Sequence, residues 1–217
     1  MIKHNNYVYP LILIVSIILI YSFGANGPFL FDDVHNIVQN DSLKIDAISI
    51  ENLTQAALSG TAGPLKRPIS VLSFSLNEYY CGLSPLSFKL INIIIHCLNT
   101  LLVFFLSQKL VRVLWSNSST ANALPFSAMK IGFVIALIWG LHPLHISSVL
   151  YVVQRMNLLA AFFSLSAVTL YCHVRFSQSL SNIRVLALFL SVTVLGLMGV
   201  FSKENAALLI AFLFCIE

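Results

Sequence analysis

Two adjacent carboxylates, Asp32 and Asp33, form the residue pair with the most direct chemical use in this sequence. Such a pair can hold a divalent cation, or one carboxylate can accept a proton while the other orients it. His35 follows shortly after and could support a cation or a hydroxyl-bearing ligand. The same pair could instead be the acidic first turn of a helix, where negative charge interacts favourably with the helix dipole.

Cations at three further positions could bind an anion such as a phosphate. Arg67 precedes Pro68, which favours a helix start, although the arginine could equally anchor a loop to lipid headgroups. Arg155 lies between two apolar runs, so it must reach the membrane surface, pair with another group or bind an anion. Lys203 precedes Glu204, which could hold the lysine for a phosphate or simply neutralise it.

The histidines His142 and His145 flank a proline in the sequence HPLH. Two histidines at this spacing could share a metal ion on a helix. Pro143 disfavours regular helix here, and no third ligand is adjacent in the sequence. The pattern therefore favours histidines that lie at the membrane interface and form hydrogen bonds.

The elements that position these residues must lie in a membrane. Of 217 residues, 58% are hydrophobic and only 9% are charged, against about 25% charged residues in an ordinary soluble domain. This composition excludes a soluble domain, a disordered chain and a nucleic-acid partner bound through a basic patch. Four cysteines exclude a disulfide scaffold. An integral membrane protein remains.

The apolar residues predict about six transmembrane segments in one all-α polytopic bundle over residues 1–217. They comprise 7–23, 88–106, a segment starting near 131, 158–171, 185–200 and a segment starting near 206. Residues 24–85 are rich in turn-forming types and predict a long extracytoplasmic loop. The first segment could be a cleaved signal peptide, but its length favours an uncleaved anchor. The third resumes after HPLH, so we expect a kinked or re-entrant helix there.

The charged residues predict the orientation of the chain in the membrane, and the polar residues of the second span predict a buried helix face. Lys and Arg alone occupy the short inner connections if the N-terminus is cytoplasmic, whereas seven of the eight acidic residues fall on the other side. Asn92, His96 and Asn99 recur with helical spacing in the second span and are expected to face other helices. A channel or transporter would need such a polar stripe in several spans.

The order of these motifs resembles a known group of membrane enzymes. The segments FDDVHNI, KRPISVLSFSLNEYYCGLSPLSFKLINIIIH, ALIWGLHPLHISSVLYVVQRMNLLAAFFSL and FSKENAALL are similar to the N-terminal membrane region of the transmembrane and tetratricopeptide-repeat O-mannosyltransferases and their bacterial relatives. These enzymes are part of the GT-C glycosyltransferase superfamily. The resemblance runs from about Phe29 to the end of the sequence.

The resemblance implies an inverting enzyme that takes a sugar from a polyprenyl-phosphate carrier on the non-cytoplasmic face. One carboxylate of Asp32 and Asp33 would activate the acceptor hydroxyl as a base. The implied ligands of the donor phosphate are Arg155, Lys203 and Arg67, with His35, His142, His145 and Glu204 in supporting roles. Some members need a divalent metal at the acidic pair and others do not, so the resemblance leaves the cofactor open.

Several departures from the family pattern qualify what the resemblance implies. Relatives often carry an acidic residue where this chain has Ser147 and Ser148, and an aspartate where it has Asn157. The sequence QRM is more similar to bacterial members, which favours a bacterial inner membrane with a periplasmic active face. GT-C folds have more spans than six, so we expect the chain to represent only part of the family fold.

The expected function is therefore sugar transfer from a polyprenyl-phosphate donor to a protein or other hydroxyl acceptor, within the lipid membrane. The alternative is a non-catalytic membrane protein or truncated relative that binds lipid-linked sugar or a partner helix.

Overall fold

The computed structural model describes residues 7–116, 127–177 and 181–217, and within these ranges the regular structure is helical, with no strand. The helices are α1 (Val8–Ser22), α2 (Ile50–Leu58), α3 (Pro68–Cys81), α4 (Pro85–Ser116), α5 (Ala128–Gly140), α6 (His145–Leu150), α7 (Arg155–Arg175), α8 (Asn182–Ser202) and α9 (Leu209–Ile216). Short π or 3₁₀ turns lie at Val34–Val38, Asp41–Leu43, Val152–Gln154 and Glu204–Leu208.

The apolar helices confirm the predicted all-α membrane bundle. Among the described residues, three helical segments are long and apolar enough to cross a membrane, namely Pro85–Trp115, Val152–Arg175 and Asn182–Ser202. Three shorter apolar segments are Val8–Ser22, Ala128–Gly140 and Glu204–Ile216. Each predicted span thus coincides with an apolar helix, but half of these helices are shorter than a full span.

Helix α4 lies at the centre of the bundle, packed against α1, α5 and α7. Near the start of α4, the His96 ring lies 2.8 Å from the carbonyl oxygen of Gly140 at the end of α5. Further along α4, Gln108 lies against Gly132 in the first half of α5. The two helices therefore run antiparallel, and the small glycines allow their backbones to approach closely.

The polar face predicted for the second span is confirmed. Asn92, His96 and Asn99 are fully buried. The Asn92 amide donates to the carbonyl of Val149 (3.1 Å), and the Asn99 amide donates to that of Leu158 (3.0 Å). These hydrogen bonds compensate the cost of burying amides among apolar helices, and they fix α4 against α6 and α7.

Residues 24–85 form more regular structure than the predicted loop. Helix α2 starts after Ser49, whose hydroxyl accepts a hydrogen bond from the Asn52 amide (3.1 Å), and α3 starts at Pro68. A buried cluster joins this segment to the bundle and contains Ile37, Leu43, Val71, Phe74, Phe88, Val152, Val153 and Met156. We call the end of the bundle that carries this segment the loop end.

The third predicted span is interrupted at HPLH. Helix α5 ends at Gly140, and the short helix α6 begins at His145. After α6 the chain forms a single 3₁₀ turn and enters α7 at Arg155. Residues 151–157 therefore lie at the loop end of α7, and we call them the junction segment.

Candidate active site

Asp33 is completely buried, and both of its carboxylate oxygens accept hydrogen bonds from backbone amides. Oδ2 accepts from Leu30 (3.0 Å), and Oδ1 accepts from Val153 in the junction segment (2.7 Å). Burial raises the pKa of Asp33, while these amide hydrogen bonds and the nearby Lys89 ammonium favour the charged form. This carboxylate therefore binds the first part of the loop to the start of α7.

Asp32 has the opposite environment, since it is exposed to solvent. Its backbone amide donates a hydrogen bond to the hydroxyl oxygen of Tyr151 (2.9 Å). Phe31, directly before it, has a φ of 40°, a left-handed conformation that is uncommon for a bulky residue. The backbone of Asp32 is thus fixed while its carboxylate stays accessible to a ligand.

Arg155 is fully buried at the start of α7 and makes extensive hydrogen bonds inside the protein. Four of its five N–H groups donate to protein oxygens. The acceptors are Asn92 Oδ1 (2.8 Å), Asn77 Oδ1 (2.7 Å) and the carbonyl oxygens of Ser73 (3.0 Å) and Phe88 (2.9 Å).

The guanidinium of Arg155 is also enclosed by aromatic rings. Its central carbon lies 4.9 Å from the centroid of Phe74 and 5.2 Å from that of Phe88. Arg155 therefore joins α3, α4 and α7. Its role as a ligand of the donor phosphate stays a prediction, and the contacts found here are those of a structural residue.

Arg67 and Glu204 form an ion pair between the loop and the start of the last apolar segment. The distance from Arg67 Nη2 to Glu204 Oε2 is 2.9 Å, and Arg67 Nη1 lies 3.3 Å from the sulfur of Met156 in the junction segment. Lys66 and Arg67 both have positive φ (59° and 50°), which turns the chain immediately before α3. Gly63 packs so closely that a Cβ atom there would lie 2.2 Å from Glu204 Oε1.

Lys203 lies beside this pair, in the connection between α8 and the next apolar segment. It is partly buried, and burial together with the neighbouring Arg67 lowers its pKa, while Glu204 raises it. The preceding residue is fixed to α3, because the Ser70 hydroxyl donates to the carbonyl of Ser202 (2.9 Å). The position of Lys203 is therefore set by the same loop that carries Arg67.

A chain of amide side chains continues from the junction segment. The Asn157 amide donates to Gln154, and the Asn205 amide donates to Asn157 (3.4 Å). Asn157 and Asn205 also line a groove of about 250 Å³ whose other walls are largely apolar, including Ala161, Leu165 and Phe212. Because Asn157 lies in the first turn of α7, the polar part of this groove is at the loop end.

The histidines predicted as supporting residues do not share one position. His35 is exposed on the single π turn after the acidic pair. His145 instead packs against Trp139 and the buried His96, with ring centroids 4.4 Å and 5.0 Å away. The His142 ring nitrogen Nδ1 accepts a hydrogen bond from the Leu144 amide (3.3 Å). Their supporting role stays a prediction.

A divalent cation at the acidic pair does not fit the donor set well. Both oxygens of Asp33 are already occupied by backbone amides, which leaves Asp32 as the exposed carboxylate. Within the described ranges, no group of three His, Cys, Asp or Glu side chains is arranged to hold a metal ion.

The junction segment contains Arg155 and contacts three other residues that the sequence singles out, Asp32, Asp33 and Arg67. Tyr151 contacts Asp32, Val153 contacts Asp33, Met156 contacts Arg67, and Asn157 contacts Asn205 next to Glu204. Sequence reasoning missed the roles of Tyr151, Asn77 and Ser70. Asn77 could have been suspected as a polar residue in the apolar run ISVLSFSLN, whereas no sequence signal distinguishes Tyr151.

The fold and the site define an all-α membrane protein in which acidic, basic and amide side chains are connected through one short segment at one end of the bundle. Comparison with known proteins gives the relationship directly. The chain is a homologue of protein O-mannosyl-transferases, which confirms the resemblance based on the motifs.

Protein O-mannosyl-transferase TMTC1 of Homo sapiens is 30% identical over 159 residues, covering 70% of this chain and 16% of that protein. Protein O-mannosyl-transferase F38B6.6 of Caenorhabditis elegans is 27% identical over 212 residues, covering 95% of this chain and 27% of that protein. Protein O-mannosyl-transferase TMTC4 of Homo sapiens is 28% identical over 214 residues, covering 87% and 28% respectively. The chain thus spans less than a third of the length of these relatives. No family profile and no solved structure matches it.

Replacing Arg155 with lysine should destabilise the protein strongly. A lysine has a single ammonium group and cannot reach four acceptors arranged around a planar guanidinium, so buried oxygens lose their donors. We expect a loss of about 3 kcal/mol in the free energy of unfolding, measured by thermal unfolding in detergent micelles. Arg112→Lys is the matched control, because Arg112 is exposed on α4 and, among the described residues, its side chain makes one long hydrogen bond, to Gln108 (3.3 Å). Equal stability of the two variants would contradict the structural role of Arg155.

Replacing Gly63 with alanine should separate Arg67 from Glu204, because the new methyl group would overlap Glu204 Oε1. We expect destabilisation of about 1–3 kcal/mol, also measured by thermal unfolding. The same substitution in a Glu204→Ala background is the control, because it keeps the φ of 76° at position 63 but removes the overlapping carboxylate. An equal loss of stability in both backgrounds would show that close packing against Glu204 is unimportant.

Proposed function

We propose that this chain provides the acidic and phosphate-binding groups of a glycosyltransferase that moves a sugar from a polyprenyl-phosphate donor to a hydroxyl group of a protein acceptor. The observation that carries this proposal is the accessible carboxylate of Asp32, fixed through its backbone to the junction segment. The names of the homologous proteins support the sugar and the protein acceptor.

In the proposed reaction Asp32 is the general base. The oxygen of the acceptor hydroxyl attacks C1 of the donor sugar from the face opposite the phosphate, and the hydroxyl proton passes to the Asp32 carboxylate. The bond between C1 and the phosphate oxygen breaks, and the polyprenyl phosphate leaves with the electron pair. Attack from the opposite face inverts the configuration at C1.

Asp33 supports the reaction without touching the substrate. Its two oxygens are bound by amides, so it cannot easily accept the proton of an acceptor hydroxyl. By binding Leu30 and Val153 it instead fixes the loop on which Asp32 stands.

The leaving phosphate gains negative charge as the bond breaks, so cations must lie near it. Lys203 is the favoured ligand, because it is partly buried and, in the described part of the chain, forms no ion pair. Arg67 is already paired with Glu204, which holds its guanidinium next to Lys203. The pair is formally neutral, so Lys203 carries the unbalanced positive charge beside it.

The groove beside α7 supports a lipid-linked donor. Its largely apolar walls suit a hydrocarbon chain, and its amide end at Asn157 and Asn205 suits a sugar or phosphate group. A substrate with a polar head and an apolar tail matches this division. In a bacterial inner membrane with a cytoplasmic N-terminus, as the loop charges favour, the loop end faces the periplasm.

Asp32→Asn should reduce sugar transfer by at least about 100-fold, because an amide cannot accept the hydroxyl proton. The measurement is transfer of radiolabelled mannose from polyprenyl-phosphate mannose to a serine- and threonine-containing peptide by the full-length protein in lipid vesicles. Asp41→Asn is the matched control, since Asp41 is another exposed acid of the same loop and pairs only locally with Lys44. Unchanged transfer by Asp32→Asn would refute the proposed reaction and favour a protein that only binds lipid-linked sugar.

Lys203→Met should lower kcat/KM for the polyprenyl-phosphate donor by about 10- to 100-fold, since one charge-assisted contact to the phosphate is lost. The KM for the acceptor peptide should stay the same, because the lysine contacts only the donor. Lys44→Met is the control, as Lys44 is an exposed loop lysine paired with Asp41. An equal effect of both substitutions would point to nonspecific attraction of the anionic donor.

A further inference from the structure

Tyr151 is the residue that holds the backbone of Asp32, although the two are far apart in the sequence. The Asp32 amide donates to the Tyr151 hydroxyl oxygen at 2.9 Å, across a separation of 119 positions. Because this oxygen acts as an acceptor, its own hydrogen remains free to donate.

The tyrosine itself is held in place from two sides. Its ring meets the ring of Phe31 edge to face, with centroids 6.5 Å apart. It also packs against the buried cluster that joins the loop to the bundle. The hydroxyl therefore has a fixed position relative to the junction segment.

The backbone conformation of Phe31 makes the hydrogen bond between Tyr151 and Asp32 more important. Phe31 has a φ of 40°, which directs the chain into Asp32 through an unfavourable conformation. Two contacts to the junction segment oppose relaxation of this turn: the Tyr151 hydroxyl on Asp32 and the Val153 amide on Asp33. The first acts on the residue that carries the exposed carboxylate.

We propose that Tyr151 is the positioning residue for Asp32, using its hydroxyl to hold the backbone of the base and thereby to set the position of the carboxylate relative to the acceptor hydroxyl. This inference rests on the proposed function, in which Asp32 is the base. A side chain that acts only through the base should change the rate of the chemical step and leave substrate binding unchanged.

The test is Tyr151→Phe in the full-length protein, assayed with polyprenyl-phosphate mannose and the acceptor peptide. Phenylalanine keeps the ring and its contact with Phe31 but removes the hydroxyl. We expect kcat to fall by about 10- to 100-fold through misplacement of the base, with the KM of both substrates unchanged. Tyr80→Phe is the matched control, because Tyr80 is 70% exposed and lies on α3, in the same part of the chain as Asp32. Its kinetics should equal those of the wild type.

The outcomes separate this inference from the proposed function. If Asp32→Asn transfers mannose at the wild-type rate, the proposed function fails. If Asp32→Asn is inactive but Tyr151→Phe keeps the wild-type kcat, or changes KM alone, Tyr151 does not position the base. Thermal unfolding of Tyr151→Phe is measured in parallel. If kcat returns to the wild-type value at temperatures below the unfolding transition, the loss of kcat reflects unfolding, and the inference is overturned.

Discussion

The structure depends most on the hydrogen bonds of one buried cation, the guanidinium of Arg155. A charge in an apolar bundle is costly unless its donors are satisfied, and here the acceptors come from α3 and α4 while the arginine itself begins α7. This interaction sets where α7 starts and hence where the junction segment lies. The candidate active site contacts the same segment. The hydrogen bonds of Arg155 therefore also help to position the residues of the proposed reaction.

The two halves of the candidate site are carried by different parts of the chain, and both contact the junction segment. Asp32 and Asp33 approach it from the first part of the loop, whereas Arg67 approaches from the residues before α3. Asp33 shows how two identical neighbouring side chains acquire different roles. One carboxylate is buried and bound by amides, and the other is left in contact with solvent.

Much of the fold could be predicted from the sequence, because hydrophobic length and periodicity are local signals. The six apolar segments and the buried face of Asn92, His96 and Asn99 are examples. The site could be predicted only as a set of residue types. The hydrogen bond between Asp33 and Val153 joins residues 120 positions apart. Neither this contact nor the hydrogen bond between Arg155 and Asn77 can be predicted from local residue spacing. Residues 24–85 were predicted only as a loop, since their short helices are stabilised by packing on the bundle more than by their own pattern.

Several hydrogen bonds that hold the junction segment have a backbone group as one partner. Asp33 binds the amides of Leu30 and Val153, and Arg155 binds the carbonyls of Ser73 and Phe88. Main-chain groups persist whatever side chain a mutation introduces, with proline as the exception for amides. Evolutionary drift at these partner positions therefore leaves the hydrogen bonds in place, whereas drift at the aspartate or the arginine removes them. Distant homologues could conserve this geometry with few shared residues.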